Sequence, residues 1–176
     1  MDEPIRVVAY DPAWPTRFEA EAALLREVLA PWITAVEGVG TSAGVHHVGS
    51  TSVPGIAAKP IIDIAVGVAD LESSRPCIEL LAGYDYCYAP YRAGEMHWFC
   101  KPDPARRTHH LHLMPTGSRQ LLDELAFRDQ LRAHPTVAAR YAALKRELAI
   151  VHRDDRNAYT EAKGDFVASV LAAAGR

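Results

Sequence analysis

Apolar and polar positions follow two rhythms along this chain. Spacings of three and four residues mark helices, and alternation marks strands. Phe18, Ala22, Leu25 and Leu29 share one helical face, while Glu19, Glu21, Arg26 and Glu27 supply polar positions. Trp14-Pro15 predicts the start of that helix, since proline fits a first turn, and Pro31 predicts its end or a kink. Ahead of it, Ile5 to Ala9 reads as a short β-prone run closed by the turn Tyr10-Asp11-Pro12. Gly38, Gly40 and Gly44 mark a loop. The stretch His46 to Val66 then changes character three times: a short β-prone run, a small hydroxyl turn Gly49-Ser50-Thr51-Ser52, and the apolar run Ile61-Ile62-Asp63-Ile64-Ala65-Val66. That last run reads as a buried strand covered on both faces.

Asp70 is the expected N-cap of a helix carrying Leu71, Ile78, Leu80 and Leu81, with Gly83 at its end. Tyr84 to Tyr88, Met96 to Lys101 and Thr108 to Met114 read as strands, and the short Pro-Asp-Pro-Ala-Arg-Arg connection predicts that the last two form an antiparallel hairpin. The remainder is helical in pattern. Ser118 caps a helix to about Ala133. Pro135 opens the next, with Val137, Tyr141, Leu144, Leu148 and Val151 as its apolar face. Asn157 caps the last, with Tyr159, Ala162, Phe166 and Val170 on one side. Strands in the middle with helices at both ends predict one domain over residues 1–176, of α/β (α+β) class, with a mixed central sheet packed by helices.

Composition adds limits. At 176 residues, 49% hydrophobic and 23% charged, the chain is an ordinary globular one with enough length for a substantial core. A net charge of -3 gives no general footprint for nucleic acid. There is no bilayer-spanning run, and Met1-Asp2-Glu3-Pro4 lacks a signal-peptide pattern. Cys77, Cys87 and Cys100 lack a Cys-x-x-Cys spacing, so a reducing cytoplasm is the expected location. The patterns Gly-x-x-x-x-Gly-Lys-Ser/Thr, Gly-x-Gly-x-x-Gly and His-Glu-x-x-His are all missing, and Ser50 and Ser52 do not stand in a Gly-x-Ser-x-Gly pattern.

Three groups carry candidate chemistry. A turn of small residues followed by a strand bearing Asp63 can place phosphate oxygens beside a divalent cation, because backbone N–H groups and hydroxyls cradle phosphate and magnesium takes one or two carboxylates. The plain alternative is an ordinary turn, with Asp63 capping a helix or pairing with an arginine. His110 and His112 share one strand face, and His109 and Leu111 the other. Near Asp63 the two imidazoles would bind a metal or contact phosphate; otherwise they are polar residues on a solvated face or core histidines bonded to backbone. The pair His46-His47 just before the turn adds weight to the cluster. Among basic and aromatic residues, Arg106, Arg107, Arg128, Arg132, Tyr159 and Lys163 could clamp a phosphate chain or form a solvated face. Tyr159 and Lys163 lie four apart on one helical face, and Lys59 is fixed by Pro60 and the strand that follows.

Together Tyr10-Asp11-Pro12-x-Trp14-Pro15, His47 to Gly55, Lys59 to Ile64, Thr108 to His112, Phe127-Arg128-Asp129 and Tyr159-x-x-x-Lys163 resemble the GrpB family over nearly the whole chain. The resemblance implies a nucleotidyltransferase-like fold with C-terminal helices. Similar domains occur fused to dephospho-CoA kinase, but without a P-loop that kinase activity does not carry over. The nucleotidyltransferase pattern is Gly-Ser, a spacer, then Asp-x-Asp/Glu, with a third acid on a later strand. Gly49, Ser50 and Asp63 match it. Ala65 stands at the second acidic position, and the later strand offers His110 or His112 in place of a carboxylate.

The expected function is a metal-dependent nucleotidyltransferase-like protein that binds a nucleoside triphosphate and transfers a nucleotidyl group to a small acceptor. Asp63, His110 and His112 would be catalytic and hold Mg2+. Gly49, Ser50, Thr51, Ser52, Lys59, Tyr159 and Lys163 would bind the phosphates, and Glu95 or His97 would serve as general base. Two alternatives stand beside it. One is a degenerate relative that binds a nucleotide or phosphate without transfer. The other is a hydrolase holding Zn2+ with the same His/Asp set.

Overall fold

The computed structural model describes residues 5–37 and 44–176. The expected loop positions Gly38 and Gly40, and the first four residues, lie outside these. A five-stranded sheet with the order β1-β2-β5-β4-β3 forms the centre. Its strands are β1 (Val45–Val48), β2 (Ile62–Val68), β3 (Cys87–Ala89), β4 (His97–Asp103) and β5 (Arg106–Pro115). β2 and β5 run parallel and the other neighbours antiparallel, so the sheet is mixed as the pattern predicts.

Strand alternation sorts the sheet into two faces. On one, Val45, Ile62, Ile64, Val66, Leu111, Leu113 and Phe99 pack against Trp14, Phe18, Ala22 and Leu25 of α1 (Trp14–Val28) and against Leu81 of α2 (Cys77–Ala82). On the other, Val48, Ala65, Met96 and Met114 pack against Leu121 and Leu125 of α3 (Arg119–Ala133). A third apolar group joins Val53 and Ile56, after the hydroxyl turn, to Leu131 of α3 and to Ala138, Tyr141 and Ala142 of α4 (Pro135–Val151). This group sets α4 beside the mouth of β2.

Several local expectations shift. Ile5 to Ala9 contributes a single bridge, Val8 to Ala58, rather than a strand. Asp70 caps a turn, its Oδ1 accepting from the Ser73 N–H at 2.7 Å, and α2 begins only after Pro76. The strand expected over Tyr84 to Tyr88 starts at Cys87. Asp155, not Asn157, caps the helix after α4, accepting from the Ala158 N–H at 2.9 Å. That segment is two helices, α5 (Arg156–Glu161) and α6 (Gly164–Ala173). The buried face of α4 is Ala138, Tyr141, Ala142 and Lys145, while Val151 is 72% exposed. A lysine therefore sits where the apolar periodicity places leucines.

Candidate functional site

Asp63 stands near the start of β2, where the turn after β1 passes across the strand end. Gly49 makes that passage possible. It has φ +67°, a left-handed conformation that side chains disfavour, and a methyl group on it would run into Asp63 Oδ2. The short 3-10 turn Ser50–Ser52 follows. Its inner hydroxyls are used within the protein. Thr51 Oγ1 donates to the Ile61 carbonyl at 3.3 Å and lies 3.0 Å from His47 Nε2, which must then be the N–H donor. Ser52 Oγ donates to the Gly49 carbonyl. His47 stacks on Phe18 with ring centroids 4.6 Å apart, and burial pushes it down to about 4, so it serves as a neutral prop.

Parallel pairing sets Asp63 directly beside His110. His110 Nδ1 lies 3.0 Å from Asp63 Oδ1. Its Nε2 is buried and has no hydrogen-bond partner among the described residues. Burial pushes the Asp63 carboxyl upward, but the His110 hydrogen bond and nearby positive charge outweigh it, leaving Asp63 below its usual range. Asp63 remains 29% exposed, so it faces open space rather than apolar packing.

That space is a hollow of about 170 Å³ lined by Ser50, Thr51, Lys59, Asp63, His110, Lys145, Tyr159 and Lys163, with Ile61 and Thr160. Three amines therefore meet one carboxylate. The buried Tyr159 ring gathers two of them: Lys59 Nζ lies 4.2 Å and Lys163 Nζ 4.4 Å from its centroid. The third, Lys145, is 2% exposed, donates to the Ala57 carbonyl at 2.7 Å, and lies 4.9 Å from the Tyr141 centroid. Burial, reinforced by the charge of Lys163, pushes Lys145 down to about 7 and Lys59 down to about 8. Such a cluster favours an anion, because each ammonium lowers the cost of bringing negative charge inside.

The expected site residues divide accordingly. Ser50, Thr51, Lys59, Asp63, His110, Tyr159 and Lys163 converge, and Gly49 shapes the wall. Ser52 is turned into its own loop. His112 does not reach the hollow: its Nδ1 lies 3.3 Å from Glu124 Oε2 on α3, a pairing that raises it against the opposing effect of burial. Glu95 is exposed beside Arg92, and His97 lies on the opposite sheet face, bonded to the Leu71 carbonyl. Arg128 and Arg132 hold the turn by donating to the carbonyls of His47 and Ser52. Arg106 pairs with Asp103, and the Arg107 guanidinium lies over the Trp98 ring. Lys145 is the functional candidate that the sequence pattern did not reveal.

Among the described residues, no group of three His, Cys, Asp or Glu side chains is placed to hold a metal ion. The hollow offers one carboxylate, already bonded to His110, against three amines. This donor set does not fit a resident Mg2+ or Zn2+. No helix among the described residues is long and apolar enough to cross a membrane.

Comparison with known proteins agrees with this architecture. A family described as "GrpB protein" matches residues 4–173. The UPF0157 protein PA4798 of Pseudomonas aeruginosa is 38% identical over 97% of this chain and 67% of its own length. A dephospho-CoA kinase of Mycolicibacterium paratuberculosis is 30% identical over 91% of this chain and 43% of its own length, in line with the expected fusion. The chain spans less than half of some curated relatives, 45% of one from Bacillus subtilis, and 92% of another. The crystal structure of the conserved protein GrpB from Enterococcus faecalis superposes with a TM-score of 0.80, at 35% identity and 94% coverage of both chains.

Proposed function

Starting from a chain that belongs to the GrpB family, we propose that the hollow at the mouth of β2 binds the phosphate chain of a nucleotide or similar phosphorylated molecule. The observation that carries this reading is the convergence of Lys59, Lys145 and Lys163 on the Ser50–Asp63 wall. The lysine ammoniums would donate to phosphate oxygens as point charges, and the Ser50 hydroxyl and the turn's N–H groups would add direction. The volume of about 170 Å³ suits phosphates better than a whole nucleotide, since pockets that enclose drug-sized ligands run to several hundred Å³. A divalent cation enters this reading only as a companion of the phosphate chain, with Asp63 as its single carboxylate.

The test is calorimetric titration with tripolyphosphate and a panel of nucleoside triphosphates, with and without magnesium. Saturable binding that weakens in Lys163→Met supports the reading. Absence of binding for every one of these anions defeats it.

One observation favours transfer in addition to binding: the Asp63–His110 pair borders the same hollow. Held by His110, the Asp63 carboxylate is the member of the pair open to the hollow, and it would take the proton of an acceptor hydroxyl as that oxygen attacks the nucleotide's α-phosphate and pyrophosphate leaves. Pyrophosphate release that needs both a small hydroxyl acceptor and His110 would establish nucleotidyl transfer. Binding without any such release would leave a phosphate-binding protein.

A further inference from the structure

Beyond His110, the Asp63 face of the sheet continues as an aromatic shelf. In the β4–β5 register Cys100 pairs with His110 and Trp98 with His112, so Trp98 stands diagonally beside His110. The Trp98 and His110 rings are 5.0 Å apart by centroids, tilted by 49°. Tyr91 meets Trp98 at 6.3 Å and is 48% exposed. Trp98 rests on the apolar group that holds Met96, Met114 and Leu121, which fixes the ring while leaving it half-buried. Both rings carry cations: the Arg107 guanidinium lies 5.5 Å from the Trp98 centroid and that of Arg92 lies 5.7 Å from the Tyr91 centroid. His110 borders the lysine hollow on one side and touches this shelf on the other. Hollow and shelf therefore meet at His110.

A ligand that places its phosphates in so small a hollow must lay the rest of itself alongside. We propose that Trp98 and Tyr91, together with the Arg107 and Arg92 guanidiniums that lie over them, are the stacking platform for the planar base of a nucleoside phosphate whose phosphate chain occupies the hollow formed by Lys59, Lys145 and Lys163. This rests on the anion reading above and narrows it to ligands with an aromatic base. Every base offers a π face to an aromatic ring, and planar guanidinium groups stack on bases as well. The platform therefore discriminates nucleotides from inorganic polyphosphate while tolerating different bases.

The experiment compares tripolyphosphate with adenosine and guanosine triphosphates on the intact protein. Both nucleotides should bind about tenfold more tightly than tripolyphosphate, the order that one stacked base contributes. Trp98→Ala should reduce nucleotide affinity to that of tripolyphosphate and leave tripolyphosphate unchanged. Trp98→Phe, which keeps an aromatic face, should retain most of the advantage. Nucleotides, but not tripolyphosphate, should quench tryptophan fluorescence, and the quench should vanish in Trp98→Phe; this readout serves even if the alanine variant does not fold. Equal affinity for nucleotides and tripolyphosphate in the unsubstituted protein overturns the platform and leaves the anion site standing. A quench that persists in Trp98→Phe overturns it too. Failure of all three anions to bind overturns platform and hollow together.

Discussion

Gly49 and Asp63 approach so closely that no side chain fits between them. The glycine has φ +67°, and a Cβ on it would overlap the carboxylate Oδ2. The turn is thereby laid against the acid, which brings Ser50 and Thr51 to the hollow's rim. Gly49→Ala faces both a left-handed backbone and a clash. It should lower stability by about 1–3 kcal/mol. It should also weaken triphosphate binding at least tenfold. Thermal denaturation and calorimetry check the two effects separately, and unchanged binding would show that the turn's approach is not needed.

Anion affinity should fall as pH rises from 6 to 9. Burial lowers Lys145 to about 7 and Lys59 to about 8, so the free protein sheds these charges across that range. A bound polyphosphate favours the charged amines, so binding near pH 7.5 takes up protons. Titrations in buffers of different ionisation enthalpy measure that uptake. Stability should move the other way. An unfolded lysine keeps its proton to about its ordinary 10.5, so the unfolded state binds more protons between about 7 and 10.5. The lysine penalty is full below 7 and is relieved as pH rises through that window.

Asp63→Asn separates the two roles of the acid. It keeps the shape beside His110 but removes a negative charge from an anion hollow. Without magnesium, tripolyphosphate should bind about as tightly or more tightly. Any magnesium-dependent gain in affinity should vanish, and pyrophosphate release, where present, should drop at least a hundredfold. Weaker magnesium-free binding in this variant would argue that Asp63 orders the hollow rather than serving chemistry.

Far from the hollow, Glu21 ties α1 to the sheet. Its Oε1 accepts from the Tyr86 hydroxyl at 2.7 Å and from Lys101 Nζ at 2.8 Å. Burial pushes its carboxyl up, but these hydrogen bonds and the lysine charge outweigh that, leaving it below its usual value. The stability it contributes is present above about pH 4.5, the unfolded value, and is lost as pH falls through the lower folded value. Glu21→Ala should cost about 2–3 kcal/mol, because it strands a half-buried ammonium and a buried hydroxyl. Chemical denaturation at pH 7 measures it, and the deficit should shrink on acidification.

Local patterns in the sequence determined the local facts. An apolar run marked β2, runs closed by turn residues marked β4 and β5, and Trp14-Pro15, Ser118 and Pro135 marked the helix starts, because those signals act within a few residues of backbone. Strand alternation put His110 and His112 on one face. The tertiary structure then gave them different partners. Asp63 meets His110 across 47 residues of chain through parallel pairing, whereas α3 brings Glu124 to His112. Lys145 was hidden for a related reason. Its burial depends on the loop at 53–57 packing against α4, where the Ala57 carbonyl and the Tyr141 ring receive the amine. No periodicity encodes a favourable place for a buried charge, since that place is made by groups distant in sequence. The chain by itself named most of the hollow's walls; only the packing of α4 and α5 against the mouth of β2 made it a cluster of three amines around one acid.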